Sequence, residues 1–249
     1  MKVVYHPRYL EVYAGDPAAQ AGRIESILKE VSAHYQMITP EPASIEDIKL
    51  VHTEWHIAEI QRMSRTYEVA LLAAGGAIKA AELAMSGEPA FGLLRPPGHH
   101  ASPDSCWGFC FFNNMAISIA KLRKEGKINR AVILDFDLHF GDGTDNFFSR
   151  VPEVVYRHPE DRSRREFVDG IARFLDKQKA DIIAVSAGFD RGVEDWGGLL
   201  TMEDYLTIGK LVKEFSLKAC QGKRYGVLEG GYNHSVLGKN VKAFLDGMS

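Results

Sequence analysis

Asp137-Leu138-His139 follows a short apolar run that begins at Ala131, with Asp135 two residues earlier. Residues i and i+2 of an extended chain point the same way, so these three side chains share one face if the strand continues. Two carboxylates and an imidazole suit zinc or another divalent metal with a position left open for water. Asp190, after another apolar run, supplies a natural third ligand beside Asp137 and His139. His99-His100 follows the rigid Pro96-Pro97-Gly98 turn. Tandem imidazoles there suit a general base and an electrostatic partner working near pH 7. Such histidines need carboxylates to fix tautomer and orientation, and Asp135 and Asp142 are left over from the metal motif for that purpose. Tyr232 follows Gly230-Gly231, where the backbone can turn sharply, and its O–H could donate to a developing oxyanion.

These groups must be carried to one place. Apolar runs at 2–5, 90–94, 131–136, 153–156, 181–187 and 225–229 read as strands. Between them lie helix-period segments at 22–34, 54–67, 68–85, 116–124, 164–177, 202–219 and 234–247, with a capping-box start at Ser44–Asp47. The alternation predicts an α/β fold: a mostly parallel sheet with helices on both faces, in a single domain over residues 1–249. Ligands of such sheets bind beyond the carboxyl ends of the strands. His99-His100, Asp135–Asp142, Asp190 and Tyr232 each stand just past a strand, so one rim collects them all. Gly75-Gly76 inside a helix predicts close packing against a neighbouring element.

Composition narrows the class. The 249 residues are 45% hydrophobic and 25% charged with a net charge of −3, a globular balance without the basic excess of a nucleic-acid binder. The basic run Arg162, Arg164, Arg165 reads as a solvated helix start. Three cysteines, with no visible signal peptide and no apolar run approaching a membrane span, point to a cytoplasmic protein without disulfides.

The motifs Arg95-Pro-Pro-Gly-His-His-Ala101, Trp107-Gly-Phe-Cys110 with Phe112-Asn-Asn114, Asp135-Phe-Asp-Leu-His139 with Gly141-Asp-Gly143, Ser186-Ala-Gly-Phe-Asp190 and Leu228-Glu-Gly-Gly-Tyr-Asn233 resemble the zinc-dependent histone deacetylase and acetylpolyamine amidohydrolase family. They occur in the family's order across residues 95–233. The resemblance implies an arginase/deacetylase-like fold. It implies zinc (Fe2+ or Co2+ as substitutes) on Asp137, His139 and Asp190, with His99 backed by Asp135 and His100 by Asp142. Tyr232 would polarise the scissile carbonyl, and Gly108 and Phe109 would line the acyl-lysine channel. The implied reaction is hydrolysis of an N-acetyl amide on a lysine side chain or a small amine such as a polyamine. The implied partner is therefore a peptide or small molecule bearing an acetylated amine. Neither nucleic-acid nor membrane binding is expected, and oligomerisation is left open.

The chain also departs from the family pattern. Only residues 151–179 separate the Gly-Asp-Gly region from the next strand, where the family usually carries a longer stretch with a second aromatic wall. No substitute for that wall is evident, so the channel is expected to be shallow or open on one side. Tyr156 takes the place of a small hydroxyl residue in the family's potassium site, which makes K+ doubtful. Phe140 replaces a second histidine, a change expected to affect packing. Glu194 and Asp195 read either as attractors for a cationic substrate or as solvated loop acids. The alternatives are an acyl-lysine binding module with little turnover and a two-metal ureohydrolase on the same fold. His52, His56 and His158 receive no site role.

Overall fold

A computed structural model describes residues 1–249. Seven strands form one sheet in the order β2-β1-β3-β7-β6-β4-β5, and every pairing is parallel. They are β1 (Lys2–Val4), β2 (Gln36–Ile38), β3 (Ala90–Gly92), β4 (Ala131–Asp135), β5 (Val154–Arg157), β6 (Ile182–Ala187) and β7 (Arg224–Leu228). The helices are α1 (Arg23–Val31), α2 (Ile45–Ile48), α3 (Glu54–Gln61), α4 (Ser64–Met85), α5 (Asn114–Lys124), α6 (Asp142–Phe148), α7 (Arg164–Leu175), α8 (Met202–Ala219) and α9 (His234–Met248).

The central strands β4, β6 and β7 are buried along their whole length, which is why they read as unbroken apolar runs rather than alternating ones. Helices α2 to α6 cover one face, around Ile133, Ala184 and Val227. Helices α1, α7, α8 and α9 cover the other, around Val132, Val185 and Leu228. Gly75 lets α4 lie directly on the backbone of residues 41–43, the close packing expected of the glycine pair.

Two elements were not read from the sequence. β2 is a three-residue edge strand, too short to show a period. α6 starts at Asp142, inside the Gly141-Asp-Gly143 stretch that reads as a turn. The 54–85 region divides differently from expectation, with α3 ending at Gln61 and α4 starting at Ser64.

Candidate active site

Strands β3, β7, β6 and β4 are consecutive in the sheet, so their carboxyl ends form one continuous rim. That rim brings Asp137, His139 and Asp190 together, with their ligand atoms all within 4.8 Å of one another. The route differs from the one expected. β4 stops at Asp135, and the chain then coils. Asp135 Oδ1 accepts the amide of Asp137 at 3.1 Å, and Asp137 Oδ1 accepts that of His139 at 2.9 Å. Two successive Asx turns, not a continuing strand, aim these side chains.

The donor set fits a divalent cation. Asp137 and Asp190 are almost fully buried, which is costly for two adjacent carboxylates without a counter-charge. Asp190 Oδ2 accepts no hydrogen bond although it is buried, and His139 Nδ1 lies 3.2 Å from it. Burial and the Asp137 charge push the Asp190 carboxyl up to about 6. His139 is drawn the other way, up to about 9, by the Asp137 and Asp190 carboxylates beside its Nδ1. A second cluster, His99, Cys110 and Glu229, is otherwise engaged: Glu229 Oε2 accepts the amides of Gly98 (2.8 Å) and His99 (3.2 Å), and Oε1 accepts from Ser186 Oγ.

Both tandem histidines carry a carboxylate on Nδ1. Asp135 Oδ2 lies 3.0 Å from His99, and Asp142 Oδ1 lies 2.7 Å from His100. Asp142 Oδ2 also accepts the Trp107 indole N–H at 2.8 Å, and Trp107 packs on the His100 ring at 3.9 Å between centroids. The environments of the two imidazoles diverge. Burial opposes charge on His99, but Asp137 and Asp135 together outweigh it and raise its pKa well above 6.5. Burial and the neighbouring His99 push His100 down to about 4, against Asp142.

Tyr232, His99, His100, His139, Gly108 and Phe109 line one cleft of ≈ 110 Å³. Gly108 and Phe109 both have positive φ, 58° and 67°. For a phenylalanine this is a strained backbone of the kind found at ligand sites. The Gly108 turn sits so close to His100 that a Cβ would overlap its ring. Burial, with Asp137 nearby, raises the Tyr232 pKa and keeps its hydroxyl protonated as a donor.

The cleft has an aromatic wall that was not read from the sequence. Trp196, from the loop after β6, lines it and stacks on Tyr232 at 4.0 Å and 26°. Asp195 fixes that loop: its Oδ2 accepts the amides of Tyr232 (2.7 Å) and Asn233 (2.8 Å), and its Oδ1 accepts the Trp196 amide. Asp195 is thus neither a free attractor nor a solvated acid. The sequence signal for it is the adjacency of Asp195-Trp196 to the Asp190 motif, whereas the family pattern points to residues 151–179 for such a wall.

Two histidines outside the cleft, His52 and His158, act as braces. His52 Nδ1 lies 3.0 Å from Ser102 O while its Nε2 accepts the Asn113 amide, tying down both ends of the loop that carries Phe109. His158 Nε2 lies 2.9 Å from Asp137 O, beneath the proposed metal ligands. Tyr156 donates to Asp135 Oδ2 at 2.8 Å and accepts from the Gly141 amide, so its hydroxyl is engaged within the protein. Phe140 packs on Tyr156 and His158.

A family model described as the histone deacetylase domain matches residues 17–158 and 158–248. A probable deacetylase of Methanothermobacter thermautotrophicus is 29% identical over an alignment covering 100% of this chain and 90% of that protein. A probable deacetylase of Archaeoglobus fulgidus is 30% identical over 93% of this chain and 81% of its own length. A histone deacetylase-like amidohydrolase of Pseudomonas aeruginosa is 27% identical over 86% and 71%. The crystal structure of the HDA15 HD domain superposes with a TM-score of 0.82 over 98% of this chain and 90% of that one, at 22% identity, which speaks to the fold. Domain match, relatives and fold agree, and the chain belongs to the histone deacetylase family of deacetylases and amidohydrolases.

Proposed function

We propose that the protein is a zinc-dependent deacetylase that hydrolyses N-acetyl amides on lysine side chains or small amines. The observation that carries this reading is the convergence of two His–Asp pairs, a three-ligand set and a tyrosine on one aromatic-walled cleft. Asp137, His139 and Asp190 would hold the metal, which when bound polarises a carbonyl and makes water a competent nucleophile near neutral pH. Asp135 and Asp142 hold the imidazoles of His99 and His100 with Nε2 free for proton transfer. One imidazole takes a proton from the attacking water. The resulting imidazolium returns it to the amine nitrogen as the C–N bond breaks, releasing amine and acetate. Tyr232 donates its O–H to the oxyanion that develops on the acyl carbon. Phe109, Trp196 and Trp107 line the cleft, so an apolar stem such as a lysine side chain would meet aromatic side chains there.

The test is acetate release by zinc-loaded protein from an acetyl-lysine peptide and from N-acetylputrescine, with Tyr232→Phe alongside. The variant should keep its zinc and lose roughly 100- to 1000-fold in kcat, the usual effect of deleting one oxyanion donor. Unchanged kcat would remove Tyr232 from the chemistry. Tight binding of either compound with no acetate released by wild type would favour a binding module.

A further inference from the structure

Arg191 follows a proposed metal ligand directly and is 7% exposed, yet it pairs with no side-chain carboxylate. Its guanidinium instead faces the backbone of the ligand-bearing turn. Nε donates to Phe136 O at 3.3 Å, and Nη2 donates to Asp137 O at 2.6 Å and Leu138 O at 3.2 Å. His158 Nε2 lies 3.1 Å from the same Nη2. On its other side the guanidinium rests over the Phe167 ring of α7, 4.8 Å from the centroid. Carbonyls on one side and an aromatic face on the other both favour a cation. The planar fork also spans three successive carbonyls in a way a lysine ammonium would not.

Charge makes the arrangement more specific. Asp135, Asp137 and Asp190 are three carboxylates within the protein interior. His99 faces Asp135 from the cleft side, and the guanidinium adds a second positive charge on the other side of the turn, under the Asp137 and Leu138 carbonyls. We propose that Arg191 is a built-in cation of the metal-binding turn, a positioning residue whose guanidinium on the Phe136, Asp137 and Leu138 carbonyls holds the Asp137–His139 backbone in its ligating shape. This rests on the reading of Asp137, His139 and Asp190 as metal ligands. With the guanidinium and the Tyr156 hydroxyl already bonded to this turn, the site has no need of a monovalent cation from solution.

The experiment measures zinc affinity by chelator competition for wild type, Arg191→Met and Arg191→Lys, with thermal melts of the metal-free proteins. Arg191→Met should bind zinc about 10- to 100-fold more weakly, the usual loss when a group supporting a ligand is removed. Arg191→Lys should fall between the two, keeping the charge but not the fork. A change in kcat with little change in KM should accompany the loss, since Arg191 lies under the ligands and not in the cleft. Wild-type zinc affinity should be the same in KCl as in tetramethylammonium chloride at equal ionic strength. Equal zinc affinity of folded Arg191→Met and wild type would overturn the proposal. So would a potassium-dependent rise in wild-type affinity, and that measurement stands even if Arg191→Met fails to fold. Absence of stoichiometric zinc from wild type would instead overturn the metal reading on which the proposal rests.

Discussion

Glu229 stands directly behind the His99-His100 loop, with two amides and the Ser186 hydroxyl on its carboxylate. Those contacts fix where His99 begins, but complete burial is the larger influence and pushes its pKa from the ordinary 4.5 up to about 7. A carboxyl raised on folding contributes stability that is fully present below its unfolded pKa and lost as pH rises through the folded one. The window here runs from pH 4.5 to about 7, and the shift corresponds to about 3 kcal/mol. Glu229→Gln keeps an acceptor for the two amides and does not titrate; its NH2 replaces the oxygen that accepts from Ser186, whose hydroxyl can rotate to accept instead. In metal-free protein, the stability of wild type relative to Glu229→Gln should therefore fall by about that amount between pH 4.5 and pH 8 in urea titrations. A difference that stays flat would mean that Glu229 does not change protonation on folding. Residue types at strand ends were enough to nominate the ligands, the tandem histidines and Tyr232. Glu229, Trp196 and Arg191 escaped because their partners lie far away in sequence: Arg191 bonds Asp137 across 54 positions and Glu229 bonds Gly98 across 131.

At the scale of elements, α6 determines the second His–Asp pair. Asp142 is its first residue, and the Thr144 amide donates to His99 O at 3.1 Å. Asn113, the N-cap of α5, reaches Ala101 O and Thr144 Oγ1 with its side-chain amide, so α5, α6 and the histidine loop form one bonded corner. Gly143 is the contact that permits this: a Cβ there would overlap the Ala101 backbone, which has no flexible end to move aside. Gly143→Ala should push α6 away from residues 99–101 and separate Asp142 from His100. Overpacking of this kind costs about 1–3 kcal/mol. The expected result is a lower Tm and at least a ~10-fold loss of kcat with zinc content intact, because the proposed ligands sit on the turns after β4 and β6 and not on α6. Full kcat at unchanged zinc content would show that the His100–Asp142 pair does not depend on this contact. The sequence made long elements legible and short ones obscure. α4, α8 and β6 carry enough apolar residues to show a period or a run, whereas β2 has three residues and α6 begins between two glycines. The local Gly-Asp-Gly signal favours a turn, and tertiary packing against Ala101 overrides it.

For the molecule as a whole, gathering the proposed ligands at one rim would link the sheet's own stability to metal binding. β4, β6 and β7 are the fully buried centre of the structure, and each ends in a carboxylate-bearing turn at the site. Without a cation, Asp137 and Asp190 face one another at low dielectric, and the central strands must hold that repulsion closed. Zinc at 100 times its dissociation constant adds about 2.7 kcal/mol if it binds only the folded chain. For a domain of this size that is a Tm increase of roughly 5–10 °C. Asp190→Asn separates the two effects. Its Oδ1 can still accept the Leu138 amide, as Asp190 Oδ1 does at 3.1 Å, while one buried charge is gone. Metal-free Asp190→Asn should therefore melt higher than metal-free wild type at pH 8, and zinc should no longer raise its Tm. A variant that melts lower and still responds to zinc would place the metal elsewhere. Stabilisation of the metal-free form together with loss of the zinc response has a single physical cause, a charge kept inside the sheet's rim for its ligand at the expense of the fold.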